Sequence, residues 1–118
     1  MIEENELMEV AREKKNDLSS ERDCEWADCY NVSNEIYGEL VSSYSVPEDY
    51  LSVEEFRDGD FRHYYLVIDA RVLGEYHILD ASFRQFASDT SVKFNLGSPS
   101  DIEEVVLVRK NRYIFETM

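Results

Sequence analysis

The chain has 118 residues, 43% of them hydrophobic, a size that predicts one compact domain over 1–118 with a substantial core. It carries 26 acidic and 12 basic residues, a formal net charge of −14. This charge argues against nucleic acid as a partner, because no basic stripe is present to neutralise phosphates. It favours a cationic protein partner, which a negative surface attracts. An acid-rich, Lys-poor composition also resembles that of proteins from salt-loving archaea, and an ordinary acidic protein is an equal alternative.

The N-terminus and the cysteines predict where the protein resides. The first nine residues, MIEENELME, are acidic where a secretory signal would be basic. No apolar run approaches the ~20 residues that span a membrane. The two cysteines, Cys24 and Cys29, form neither a CxxC pair nor a disulfide framework. We therefore expect a cytoplasmic protein with free thiols and no membrane insertion.

Two helices are predicted in the first part of the chain. Segment 1–18 predicts a peripheral helix, because its apolar stripe is narrow. Residues 29–43 predict the stronger helix, with apolar residues four apart, Asp28 as the N-cap and Pro47 beyond the end.

Strand-like segments follow the helices. Asp58-Gly59 is a strong turn signal between a weak strand and a strong one. The predicted strands cover 50–56, 61–68, 75–79, 104–109 and 112–116. Segment 81–103 is predicted to be irregular, with a loop at 97–99, and 104–116 to form a C-terminal hairpin. The order of elements predicts an α+β fold with N-terminal helices packed on an antiparallel sheet.

His63 and Asp80 are candidate partners on neighbouring strands. If Ala70–Leu73 is a four-residue hairpin loop, paired residue numbers sum to 143, and His63 lies opposite Asp80. An Asp carboxylate at that distance can hold one imidazole nitrogen and select the tautomer of the ring. A shift of one residue would separate the two side chains, so the prediction depends on the loop length.

Cys29 is the candidate nucleophile because it opens the stronger helix. Free N–H groups and the positive end of the helix dipole stabilise a thiolate there, and a nearby His⁺ stabilises it further. The backbone N–H of Cys29 is one candidate oxyanion donor, and the sequence assigns no second one. The carboxylate of Asp28 opposes a thiolate unless it points away as the N-cap.

Other interpretations of these residues remain open. Cys29 can also be a small buried hydrophobic residue, and Asp80 can simply end a strand. Cys24 is the rival nucleophile but lacks a helical pattern behind it. His77 is the rival base, but it lies three residues before Asp80 and so points to the other face of the strand. The Cys-x4-Cys and His-x13-His spacings do not match usual zinc patterns, and we expect no metal and no cofactor.

These motifs resemble the transglutaminase-like branch of the papain-like thiol hydrolases. In that branch a Cys opens a helix that bears a small residue four positions on and apolar residues seven and eleven positions on. The matching residues are Cys29, Ser33, Ile36 and Leu40. The helix exit Ser45-Val46-Pro47 is similar to the Gly-Ile-Pro-like exit of the family.

The later motifs continue the resemblance over roughly residues 26–86. His63-Tyr64-Tyr65 is similar to the His-x-aromatic strand of the family. Leu79-Asp80-Ala81-Ser82 matches its Asp-Pro-Thr motif in the Asp and the hydroxyl, with Ala81 in place of Pro, and Gln85-Phe86 is similar to the pair that follows. The resemblance implies a papain-like core over 26–86 with Cys29, His63 and Asp80 as a catalytic triad.

The sequence therefore favours a cysteine peptidase, amidase or transglutaminase-like enzyme that acts on an amide bond of a peptide or protein. The alternative is an inactive papain-like domain that serves as an interaction or structural protein, possible also in a virus particle. A third hypothesis is a binding module for a cationic partner, driven by charge.

Overall fold

The structure is a computed structural model that describes residues 2–21, 29–83, 92–96 and 103–117. Within these ranges two long helices precede a β-hairpin, a short helix and several shorter strands. The elements are α1 (Glu4–Glu21), α2 (Cys29–Tyr44), β1 (Leu51–Asp58), β2 (Phe61–Ile68), α3 (Ala70–Leu73), β3 (His77–Asp80), β4 (Val92–Phe94), β5 (Val106–Arg109) and β6 (Phe115–Thr117).

The helices pack on a four-stranded antiparallel sheet of order β1-β2-β3-β5, which confirms the predicted α+β class. Strands β4 and β6 form a separate antiparallel pair. Strand β2 is central, because it pairs with β1 along its whole length and with β3 over Leu66–Ile68.

The hairpin between β1 and β2 forms as its sequence predicts. Asp58 pairs with Phe61, so only Gly59 and Asp60 lie in the turn. Gly59 has φ of +61°, a left-handed conformation that costs glycine little because it lacks a Cβ. This tight turn sets the register that places Phe56 opposite His63.

Helix α2 begins at Cys29, as predicted, and ends one residue beyond the predicted limit. At its end the N–H of Val46 donates to the carbonyl of Leu40 at 3.0 Å, and Ser45 adopts φ of +56°. This left-handed residue closes the helix and turns the chain towards Pro47. The predicted N-cap Asp28, the rival nucleophile Cys24, the pair 85–86 and the loop at 97–99 lie outside the described residues.

The main core lies between the helices and one face of the sheet. Its buried residues from α2 and the sheet are Val32, Ile36, Leu40, Leu51, Leu66, Ile68 and Leu79. Helix α1 is less peripheral than its narrow stripe predicts, since Leu7 and Ala11 are fully buried in the same cluster. Ala11 widens the apolar stripe of α1. The buried aliphatic part of Lys15 extends this stripe, while the ammonium group of Lys15 donates to Glu104 at 3.1 Å.

The opposite face of the sheet bears a smaller, aromatic-rich cluster. Its buried members are Val67, Ile78, Phe83, Val106 and Tyr113, and Tyr65 and Phe115 pack against them. This second face matters for the site because His63 and Tyr65 alternate with Leu66 along β2 and point towards it.

Two predictions for the C-terminal half are wrong. The segments around 104–109 and 112–116 do not pair as a hairpin, since β5 pairs with β3 and β6 pairs with β4. A 3-10 turn at Lys110–Arg112 redirects the chain, and burial of Tyr113 carries it away from the edge of the sheet. Segment 81–103, predicted as irregular, contains β4, which depends on the distant β6 for its hydrogen bonds.

Within the described part of the chain, none of the helices combines the length and the apolar composition that a membrane span requires.

We expect Leu7→Ala to lower the free energy of unfolding by about 2–5 kcal/mol, because it opens a cavity in the main core. Glu13→Ala, on the exposed side of α1, should change it by less than about 0.5 kcal/mol. Urea unfolding followed by circular dichroism measures both variants. Equal small effects would show that α1 does not belong to the core.

Candidate functional site

The structure brings His63 and Asp80 into direct contact. His63 Nε2 lies 2.5 Å from Asp80 Oδ2, and both side chains are almost completely buried. An ionised carboxylate has no proton to donate and can only accept a hydrogen bond. Nε2 therefore carries a proton and donates the hydrogen bond to Asp80. The other ring nitrogen, Nδ1, is left for a second partner.

The predicted register that led to this pair is nevertheless wrong by two residues. Leu66 pairs with Leu79 and Ile68 with His77, so paired numbers sum to 145 and not 143. The connection is longer than four residues because Asp69 caps the short helix α3 by accepting from the N–H of Arg71. Gly74, with φ of +89°, ends that helix.

The predicted contact between His63 and Asp80 still forms because the register error is an even number of residues. A shift of two residues keeps each side chain on the same face of the sheet, whereas a shift of one would reverse it. Continuing the observed register places Asp80 beside Tyr65, so His63 is its diagonal neighbour. Diagonal neighbours lie about 7–8 Å apart at the backbone, a gap that the long imidazole spans.

Asp80 is surrounded by hydrogen-bond donors from three parts of the chain. Its Oδ2 accepts from both His63 and the hydroxyl of Tyr113, and its Oδ1 accepts from the backbone N–H of Ser82 at 2.9 Å. The carboxylate has no exposed surface, so these bonds replace the water that it loses on folding.

Ser82 contributes through its backbone alone. Its hydroxyl is buried and has no hydrogen-bond partner among the described residues, although the sequence motif matched in that hydroxyl. The backbone N–H that donates to Asp80 would be present with any residue other than proline at position 82.

Cys29 completes the cluster from the start of α2. The helix packs against β2, and the Cys29 side chain, which is partly exposed, is a free thiol that interacts with the His63 ring by a hydrogen bond. Because Nε2 is committed to Asp80, Nδ1 is the ring nitrogen that is left for the sulfur. The order sulfur, imidazole, carboxylate is that of a thiol triad.

The surroundings favour a protonated His63. Burial alone would lower the pKa of His63, but the Asp80 carboxylate outweighs it, and the Cys29 sulfur adds to the effect, so that the pKa rises from 6.5 to about 9. At neutral pH the imidazole is therefore a cation between a carboxylate and a sulfur.

An aromatic pair lies next to the triad in sequence. Tyr30 follows Cys29, Tyr64 follows His63, and their rings meet edge to face with centroids 4.9 Å apart. The hydroxyl of Tyr64 donates to Glu55 at 2.5 Å, which holds that ring in place. Tyr30 is half exposed and forms part of the surface beside Cys29.

His77, the rival base, lies apart from this cluster. It is buried on the other side of β3 from Asp80, and its Nδ1 donates to the carbonyl of Glu75 at 2.8 Å. Its Nε2 lies 3.9 Å from a carboxylate oxygen of Glu4. Among the described residues, no group of three or more His, Cys, Asp or Glu side chains is placed to hold a metal ion.

A cavity of about 560 Å³ lies at the other end of the sheet from the triad. It is lined by Glu75, Tyr76, Arg109, Lys110 and Asn111, none of which belongs to the Cys29 cluster. The candidate site is distinguished instead by the buried hydrogen bond between His63 and Asp80 and by the raised pKa of His63.

Sequence reasoning missed Tyr113. A buried carboxylate at the end of β3 predicts that some donor must cover it, but nothing in the sequence indicates which one. Tyr113 lies 33 residues after Asp80, beyond a turn that the sequence predicted as part of a hairpin. Only the three-dimensional course of the C-terminal segment identifies it.

No family model, curated protein sequence or solved structure that was compared with this chain matches it.

We expect His63 to make the free energy of unfolding decrease as pH rises from about 6.5 to about 9. The folded pKa of about 9 exceeds the ordinary 6.5, so the folded state holds a proton that the unfolded chain releases between these values. The stabilisation is complete below about pH 6.5 and is lost as pH rises through about 9.

Urea unfolding of the wild type and of His63→Gln at about pH 6, 7.5 and 9.5 measures this contribution. The stability of the wild type relative to the variant should shrink over that range. A difference that stays constant would contradict the raised pKa of His63.

Proposed function

We propose that the chain is a thiol hydrolase or acyltransferase that acts on an amide bond of a peptide or protein. The observation that carries the proposal is the position of the His63 ring, which donates to Asp80 at 2.5 Å on one side and contacts the Cys29 sulfur on the other. A carboxylate, an imidazole and a thiol in this order support nucleophilic catalysis.

In the first half of the reaction the Cys29 sulfur attacks the carbonyl carbon, and a C–S bond forms. The tetrahedral intermediate collapses when His63 gives its proton to the leaving nitrogen, so that the C–N bond breaks and an amine departs. In the second half, water or another amine attacks the thioester and gives its proton to His63. The C–S bond breaks, and a carboxylic acid or a new amide leaves.

Asp80 acts on this cycle through His63. Its hydrogen bond fixes the tautomer that leaves Nδ1 towards the sulfur, and its charge stabilises the imidazolium. The backbone N–H of Cys29, at the first residue of a 16-residue helix, is a donor that can stabilise the oxyanion.

We further propose that the fold belongs with the papain-like proteins, in their transglutaminase-like branch. The order of the elements supports this: a helix that starts at the Cys, a central strand with the His, and a strand that ends at the Asp. The net charge of −14 favours substrates that carry positive charge.

We expect iodoacetamide at about pH 6 to alkylate Cys29 at least tenfold faster than Cys24. An ordinary thiol, with a pKa of about 8.5, is only about 0.3% thiolate at that pH, whereas in thiol triads an imidazolium beside the sulfur favours the thiolate. Cleavage after Glu25 separates the two thiols, so mass spectrometry of the digest reports each rate.

His63→Ala should slow the alkylation of Cys29 by about tenfold or more. His77→Ala should leave that alkylation rate unchanged, because His77 lies on the other side of β3. Equal, slow labelling of both cysteines in the wild type would refute the thiol enzyme.

A non-catalytic interaction module with the same fold is the second candidate. The cavity at Glu75, Tyr76 and Arg109–Asn111 favours it, since that cavity lies away from the thiol. In that case Cys29→Ser would leave partner binding intact and Cys29 would label no faster than Cys24.

A further inference from the structure

The C-terminal segment brings an additional group to the candidate triad. Tyr113 is buried, and its hydroxyl donates to the same Asp80 oxygen that accepts the proton of His63. We propose that Tyr113 is a positioning residue of this site, whose hydroxyl holds the Asp80 carboxylate and limits how strongly that carboxylate retains the His63 proton. The inference rests on the proposed function, since it concerns the base of that triad.

The ring of Tyr113 is held from several sides. It packs edge to face on Phe115 with centroids 4.8 Å apart, and the rings of Tyr65 and Phe83 lie 5.5 and 6.2 Å away. Its backbone N–H donates to the carbonyl of Lys110 at 3.1 Å, which closes the preceding turn. A ring confined in this way offers its hydroxyl in one direction, towards Asp80.

The hydroxyl of Tyr113 keeps its proton, and so remains a donor, around neutral pH. Burial raises the pKa of Tyr113 well above its ordinary value, and the negative charge of Asp80 raises that pKa further. Tyr113 therefore offers a neutral O–H to the carboxylate and never competes with it as an anion.

A shared acceptor couples Tyr113 to His63. When His63 loses its proton, Asp80 remains as a buried anion whose only described donors are Tyr113 and the N–H of Ser82. Without the hydroxyl that anion is less well stabilised, so His63 releases its proton less readily. The proton must leave for the amine to depart, and a base works best when its pKa is near the working pH.

Among the described residues, Tyr65 and Cys29 are the other titratable groups that face this pair. Tyr65 of β2 lies beside His63, with ring centroids 6.3 Å apart, and the charge of Asp80 contributes to the raised pKa of Tyr65. Cys29 of α2 contacts His63 from the other side. The hydroxyl of Tyr65 makes no hydrogen bond with a described residue, which makes Tyr65 a matched control for Tyr113.

The experiment is an NMR pH titration of the His63 ring in the 118-residue chain, with His77→Gln used to assign the two histidines. Tyr113→Phe removes only the hydroxyl, and we expect it to raise the pKa of His63 by about 0.5–1 unit. Tyr65→Phe removes a hydroxyl nearby that does not touch Asp80 and should leave the pKa of His63 within about 0.2 unit of the wild type.

The effect must also depend on Asp80. In an Asp80→Asn background, Tyr113→Phe should leave the titration of His63 unchanged, because the carboxylate that links the two side chains is gone. A structural role for Tyr113 would instead give the same change in both backgrounds. An unchanged pKa in the single variant, or a shift that persists with Asn at position 80, would overturn the proposal.

A second variant covers the case in which Tyr113→Phe does not fold. Replacing Tyr113 by 3-fluorotyrosine keeps the ring and makes its hydroxyl a stronger donor, so the pKa of His63 should fall. A rise or no change would refute the coupling. Neither titration requires a reactive thiol, so slow alkylation of Cys29 would count against the proposed function alone.

Discussion

The buried carboxylate of Asp80 is the constraint around which the site is arranged. Taking an ionised group out of water costs several kcal/mol unless hydrogen bonds replace its hydration. Three donors among the described residues do so here: the ring of His63, the hydroxyl of Tyr113 and the N–H of Ser82. Each donor comes from a different part of the chain. The need of the Asp80 carboxylate for hydrogen bonds therefore holds β2, the turn after β3 and the C-terminal segment together.

The same carboxylate determines the state of the imidazole. A histidine as buried as His63 would ordinarily be neutral, yet the charge of Asp80 and the contact with Cys29 raise its pKa to about 9. Helix α2 adds the positive end of its dipole at the sulfur, since Cys29 is its first residue. Helix packing, strand register and a buried charge thus converge on one thiol, and none of them produces the arrangement alone.

The local predictions succeed where a few neighbouring residues decide the structure. The start of α2 at Cys29 and strand 61–68 follow from periodicity, and the hairpin follows from a glycine that tolerates a positive φ. The predictions fail where distant residues compete. The cap at Asp69 lengthened a connection that the sequence predicted as a loop, and β5 and β6 found partners in β3 and β4 and not in each other.

The sequence by itself determined the residue types, their order and the face that each occupies. Side chains alternate along a strand, and this parity kept His63 and Asp80 on one face of the sheet even though the predicted register was wrong by two. Tertiary structure alone decided which donor covers Asp80, because Tyr113 reaches it across 33 residues of chain. Local sequence patterns determine towards which face a side chain points. Its hydrogen-bond partner depends on packing between segments that are distant in the sequence, which no local pattern specifies.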